Sequence, residues 1–469
     1  MIASDTPLFK RDLLLLVGLF IFEASFTVIA IALLMKGRRP FQIFLTTRPG
    51  LAFLWAVVAF LVGGTLIIIQ YRANSRSPSR HFRLVVAMNL LTVMLVVITG
   101  ELALRAGVRS KFGFEFVGTT MLKPKSWETI RRHLRQVVDR SEGDHAFHTY
   151  DELLGWRLGP NRNSADSKYW ASTEGLRAPH EGISFKKSVQ QTDIALVGDS
   201  FTFGYEVTYE ETYGYYLEQM LGSQFRVLNF GVSGYGIDQT FLRYERDVRP
   251  WKPKIVVFGF ISNDAERTMW VYPFASGIGW WDYPFSKPRL ILHGEERVNL
   301  NVPTLSPEAI LSRKSISELP GIEYQRGYSP NDWQERFYHY SYLIRLLESY
   351  SSPPSPVSPE VSRETLLSIN ASILKTFLRS AEKEQSVPLV IFFPSDHELE
   401  KPKTTLPLGK QVLEKAGIEY IDPTSCLLEV PPADRFMPQH HYTPQGNAAI
   451  AKCLLPAVHR ALRQTSVRN

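Results

Sequence analysis

DIALVGDSFTFG, residues Asp193 to Gly204, is the stretch on which the fold turns. Four apolar residues, Ile194 to Val197, run straight into Gly198-Asp199-Ser200. A short run without polar alternation predicts a strand buried on both faces, as in a parallel sheet. The glycine and the two small polar residues then turn the chain toward a helix. A serine placed there stands at the carboxyl end of a central strand, where open α/β sheets put their chemistry. An ordinary strand-to-helix turn with Asp199 or Ser200 as N-cap has the same local sequence. The decision therefore rests on the stretches around it.

Downstream, apolar strands alternate with amphipathic helices. The predicted strands are Ile194–Val197, Arg226–Phe230, Ile255–Phe260, Leu389–Phe393 and Ile418–Ile421. Helices are expected at Tyr213–Leu221, Gln239–Val248, Arg363–Glu384 and from Pro444 onward. That alternation implies a parallel sheet covered on both faces. The strand ends carry residues suited to acyl chemistry. After the second strand comes the glycine-rich turn Gly231-Val232-Ser233-Gly234-Tyr235-Gly236, and after the third comes Ser262-Asn263-Asp264. Before the final helix stands Gln439-His440-His441-Tyr442-Thr443-Pro444-Gln445-Gly446. A serine nucleophile needs a base in hydrogen-bond reach and donors aimed at the developing oxyanion. These stretches offer both.

Taken in order, Gly-Asp-Ser, the glycine turn, Asn-Asp and the late histidine resemble the four blocks of the SGNH (GDSL-type) hydrolases, in their membrane-anchored bacterial form. The resemblance runs from about Asp193 to Ala461, and Thr173-Glu174-Gly175-Leu176-Arg177 resembles the preamble of those members. It implies a three-layer α/β/α, flavodoxin-like fold with a five-stranded parallel sheet. It further implies Ser200 as nucleophile and His441, five residues before Gly446, as general base. The Ser200 and Gly234 backbone N–H groups and the Asn263 side chain would form the oxyanion hole. Two departures stand out. Ile261 occupies a position where the family has glycine. More seriously, Pro438 and Gln439 occupy the usual positions of the acid that orients the histidine. Asp434 is the nearest carboxylate in sequence and the candidate replacement; a backbone carbonyl or Gln439 in a Ser–His dyad is the alternative.

The first 111 residues have another character. Apolar runs at about 13–35, 51–70 and 84–104 each approach the roughly 20 residues that cross a hydrocarbon core. Arg and Lys flank all three, which predicts three transmembrane helices and a lipid bilayer as partner. Through Lys111 there are 13 Lys/Arg against four Asp/Glu, leaving 40 against 42 for the rest. The basic balance thus belongs to the apolar segment and requires no nucleic-acid partner. Charges on the two sides of the spans are nearly equal and do not orient the chain. Glu23, inside the first run, is expected to pair with a neighbouring helix or a basic flank.

The expected organisation is a membrane segment (1–111), a preamble (112–192) and the hydrolase-like domain (193–469). An aromatic insertion at about 266–340 is placed to serve as a lid or substrate wall. Cys426 and Cys453 lack metal or redox spacing and are expected as two apolar thiols rather than a disulfide. No metal or organic cofactor is called for, since adjacent His440 and His441 point apart. The reading is a multi-pass membrane serine esterase with an extracytoplasmic catalytic domain, acting on acyl, acetyl-type esters of a cell-envelope glycan or lipid. An O-acyltransferase fed by a partner membrane protein and a non-catalytic glycan-binding module are the alternatives.

Overall fold

A computed structural model describes residues 80–141, 147–187, 191–276, 283–293, 296–351, 362–400 and 406–468, with isolated positions between 18 and 65. The chain divides into two compact units. One comprises Met1–Ser126 with Asn331–Pro354, the other Trp127–Pro330 with Ser355–Asn469.

The larger unit is built on a sheet of four parallel strands: β1 (Thr192–Val197), β2 (Phe225–Asn229), β3 (Ile255–Phe260) and β4 (Val387–Phe392). Their order across the sheet is β4-β3-β1-β2. Ile194 lies opposite Val227 on one side and Ile255 on the other. The five-stranded expectation is corrected here. Residues 418–421 contribute only an isolated parallel bridge, Ile391 to Ile421, at the β4 edge. Glu419 and Tyr420 between the two isoleucines are exposed, so this short run lacks the two buried faces that a full strand needs.

Alternate residues of each strand feed two cores. Ala195, Val197, Val256, Phe258 and Phe392 pack beneath α3 (Ile237–Arg243), α5 (Arg363–Lys383) and α7 (Leu408–Ala416). Ile194, Leu196, Val257 and Ile391 face α2 (Tyr213–Leu221) and α9 (Pro444–Arg468). The result is three layers, α/β/α. The chain leaves β1 toward one edge and returns to β3 on the other side, so the topological switch point lies between the carboxyl ends of β1 and β3. Ligands of open α/β sheets gather there. On the α9 side, Cys453 forms a disulfide with Cys426 of α8 (Thr424–Glu429). The expectation of two free thiols is thereby overturned: the two helices pack together and bring cysteines 27 positions apart to a Cα separation of 6.0 Å.

In the smaller unit the longest described helix is Arg80–Gly107. Among the described residues, no helix is long and apolar enough to cross a membrane. Most of the first predicted span and half of the second lie outside the described residues, as do many side chains of the third, which falls within this helix.

Candidate active site

The turn after β1 places Ser200 through steric necessity. A Cβ on Gly198 would stand 2.1 Å from Thr202 Oγ1 and 2.6 Å from the Gly259 carbonyl, so only glycine lets the chain turn here. Asp199 caps the four-residue helix α1 (Ser200–Phe203) by accepting from Phe201 N at 2.9 Å. Ser200 is thereby held on the first residue of α1, at the switch point.

His441 arrives from a tight hairpin. Phe436 bridges to Tyr442, Met437 N donates to the His441 carbonyl at 2.7 Å, and His440 takes a left-handed backbone (φ 72°) at the tip. The two histidines diverge. His440 is exposed and its Nδ1 meets Asp396 at 2.6 Å. His441 turns inward, with Nε2 at 2.9 Å from Ser200 Oγ.

The acid that orients His441 is Glu206. Its Oε2 lies 3.0 Å from His441 Nδ1, and the carboxylate also accepts from the backbone N–H of Gln439 (2.9 Å) and of His441 (3.2 Å). Asp434 does not fill that place; its described contacts are through the backbone, its N–H donating to the Pro431 carbonyl at 2.9 Å and its carbonyl accepting from the Thr443 hydroxyl. The expectation for Asp434 is corrected because the hairpin turns its inner face, with the backbone N–H groups of Gln439 and His441, toward the loop after α1. Glu206 itself has a left-handed backbone (φ 73°), a conformation costly for a residue other than glycine. The preamble holds it there: Glu206 N donates to the Tyr169 hydroxyl at 2.8 Å, and Lys168 Nζ donates to its carbonyl. Glu206 is not apparent beside the histidine in the sequence, because it comes from a loop 235 positions away. The available signal is a carboxylate six residues after the nucleophile, in the loop that follows α1 at the carboxyl end of β1.

The electrostatics suit a base. Burial lowers the pKa of His441, opposed by the Glu206 hydrogen bond and the charges of Asp199 and Glu206. An ionised carboxylate only accepts, so the proton resides on Nδ1 and leaves Nε2 open toward Ser200. Gly234, buried and left-handed (φ 85°), sits in a turn pinned by Trp156 Nε1 to the Ser233 carbonyl at 3.0 Å. Among the described residues nothing accepts from Gly234 N–H. Asn263 is exposed on the first turn of α4 (Ser262–Arg267), its amide without a partner among the described residues. Ile261 causes no strain where the family has glycine, since its backbone is extended (φ −109°).

Arg267 escaped sequence reading altogether. Its buried Nη1 reaches Asp264 (2.5 Å), the Tyr235 carbonyl (3.2 Å) and Asp199 (3.3 Å). One guanidinium therefore joins the loops that carry Ser200, Gly234 and Asn263. Burial and the neighbouring Asp199 push the Asp264 carboxyl well above its usual pKa. Among the described residues no group of three or more His, Cys, Asp or Glu side chains could hold a metal ion.

Residues 196–294 match the GDSL-like Lipase/Acylhydrolase family. The matched stretch holds Ser200, Glu206, Gly234, Asn263 and Arg267 and ends well before His441. No curated protein matches the chain. Among solved structures, an acetylxylan esterase, Axe2, from Geobacillus stearothermophilus is 15% identical, with 57% of this chain and 94% of that one covered at a TM-score of 0.30. A lipase/acylhydrolase from Enterococcus faecalis is 12% identical, with 57% and 95% covered at a TM-score of 0.30. A member of the lipolytic G-D-S-L family from Veillonella parvula DSM 2008 is also 12% identical, with 57% and 99% covered at 0.29. At such TM-scores the likenesses add nothing to the geometry above.

Proposed function

We propose that the chain is a serine esterase that cleaves O-acyl esters through a covalent acyl-enzyme. The observation that carries this reading is the continuous path Ser200 Oγ, His441 Nε2, His441 Nδ1, Glu206 Oε2, with contacts of 2.9 and 3.0 Å. Ser200 attacks the ester carbonyl as His441 takes its proton, and Glu206 stabilises the imidazolium so formed. Ser200 N–H, Gly234 N–H and the Asn263 amide receive the oxyanion. The tetrahedral intermediate collapses, His441 returns the proton to the leaving alcohol, and an activated water repeats the sequence on the acyl-serine. A complete chain of nucleophile, base and acid favours catalysis over a non-catalytic glycan-binding module. Transfer to a sugar hydroxyl instead of water uses the same steps.

The natural substrate is read as an acetyl-type ester on a cell-envelope glycan or lipid, with the protein held at a membrane by its N-terminal apolar segment and the catalytic unit outside the cytoplasm. The three apolar runs support the first part. The Cys426–Cys453 disulfide supports the second, because such bonds persist in oxidising compartments.

The test is turnover of p-nitrophenyl acetate by the full chain beside Ser200→Ala, with fluorophosphonate labelling of Ser200. Serine-dependent turnover and labelling are expected. Activity unchanged in Ser200→Ala, or neither turnover nor labelling in the unsubstituted chain, would sink the esterase reading.

A further inference from the structure

Within the smaller unit, two exposed aromatic rings stand beside the end of the long apolar helix. Phe337 is 84% and Tyr340 82% exposed. They lie three residues apart on the 3-10 turn Phe337–Tyr340, a spacing that puts both on one side of the turn. The turn and the helix that follows it, Tyr342–Ser351, are fastened to Arg80–Gly107 at one level. Glu101 accepts from the Ser341 hydroxyl and from Tyr342 N, both at 2.9 Å, and from Leu343 N at 3.0 Å. Arg105 donates to the Tyr340 carbonyl at 2.5 Å and lies over the Tyr342 ring. Large rings left in water while their backbone is tied down this firmly are not a frayed loop.

The helix they adjoin exposes an apolar row: Leu91 (43%), Met94 (51%), Ile98 (45%) and Leu102 (60%), spaced three, four and four residues apart along one face. That row is about 16 Å long at the usual helical rise. At its carboxyl end the character changes abruptly. The Glu101–Arg105 pair ends the apolar row; Arg105 reaches the aromatic turn, exposed Arg336 directly precedes it, and exposed Arg109 and Lys111 follow the helix in the chain, while Glu335 is the exposed acid beside the turn without an ion-pair partner among the described residues. An apolar face, then aromatic rings, then cations is the order met on passing from acyl chains through the interface to anionic headgroups.

We propose that Phe337 and Tyr340 form an interfacial anchor that seats in the headgroup layer of an anionic bilayer, with Leu91–Leu102 facing the acyl chains and the arginines meeting lipid phosphates. This rests on the membrane part of the proposed function, and it assigns a role to a segment, Asn331–Pro354, that the catalytic geometry does not use.

The experiment reconstitutes the full chain, carrying an environment-sensitive fluorophore at Phe337→Cys or Tyr340→Cys, into vesicles of phosphatidylethanolamine and phosphatidylglycerol. Glu382→Cys, exposed on the α/β unit, is the aqueous control. Flotation shows whether the chain is membrane-bound, and fluorophosphonate labelling of Ser200 shows that each variant is folded. The expected result is blue-shifted emission at 337 and 340, quenched more strongly by lipids with a shallow nitroxide than by a deep one, with Glu382→Cys unaffected. A chain that floats while 337 and 340 emit like the control would overturn the anchor and leave membrane attachment standing. A chain that does not float would overturn both. Emission that shifts with protein-to-lipid ratio and resists lipid quenching would reassign the surface to a second copy of the chain.

Discussion

Glu206 carries the sharpest expectations at the residue scale. Glu206→Gln keeps the shape and removes the charge, so kcat should fall by as much as about 10⁴, the loss seen when a triad acid becomes its amide. KM should change little. Asp434→Asn should leave p-nitrophenyl acetate turnover within about two-fold, as expected for a side chain outside the catalytic path. The pH profile separates charge from shape. Acylation needs neutral His441, whose pKa lies below the usual imidazole range through burial. Activity should therefore persist as pH falls past that range and decline only below it. Glu206 raises this pKa, so the residual activity of Glu206→Gln should have its acid limb at still lower pH. A limb that moves upward instead would place the carboxylate outside the titrating unit. Arg267 makes a different expectation. Arg267→Met leaves Asp199 without its buried counter-charge and frees three loops at once, so it should cost about 3–5 kcal/mol of stability, read from chemical denaturation.

Among the elements, the preamble acts at the site from a distance. Its short strands His148–Asp151 and Gly155–Leu158 pair as a hairpin, and Trp156 of the second is fully buried. Through Trp156 it pins the Gly234 turn, and through Tyr169 and Lys168 it holds the left-handed Glu206. Tyr169→Phe deletes only the acceptor for Glu206 N, leaving a buried donor unpaired at a cost of about 1–3 kcal/mol. Because the freed loop carries the acid, kcat should drop with KM nearly constant, and Tyr169→Phe combined with Glu206→Gln should be no slower than Glu206→Gln alone. Additive losses would make Tyr169 a stability residue only. The His441 hairpin is positioned from both flanks, by Glu206 on its inner side and Asp396 on its tip.

For the whole molecule, the disulfide between α8 and α9 ties down the segment that contains the His441 hairpin. It closes a chain separation of 27 residues, and removing such a constraint from the unfolded state costs about 3 kcal/mol. Cys426→Ser with Cys453→Ser should lower the thermal midpoint, and reductant should do the same to the unsubstituted protein but not to the double variant. Equal midpoints would mean that the crosslink adds nothing to folding.

Local chemistry made much of this protein legible from its residues. The unbroken apolar runs Ile194–Val197 and Ile255–Phe260 require a sheet buried on both faces. The Gly198 turn admits no side chain, and Ser200 and His441 stand at strand and helix boundaries whatever the rest of the chain does. What lay beyond sequence reading depends on contacts between distant segments. The acid on His441 comes from a loop 235 positions away, and a carboxylate needs only to arrive within hydrogen-bond reach, not to be a neighbour in the chain. The fifth strand reduces to a bridge because burial of both its faces was never supplied, and the cysteines pair because two helices meet. Periodicity and turn residues are properties of short stretches and determine elements; charge pairing, crosslinking and burial are properties of packing, which only the tertiary structure decides.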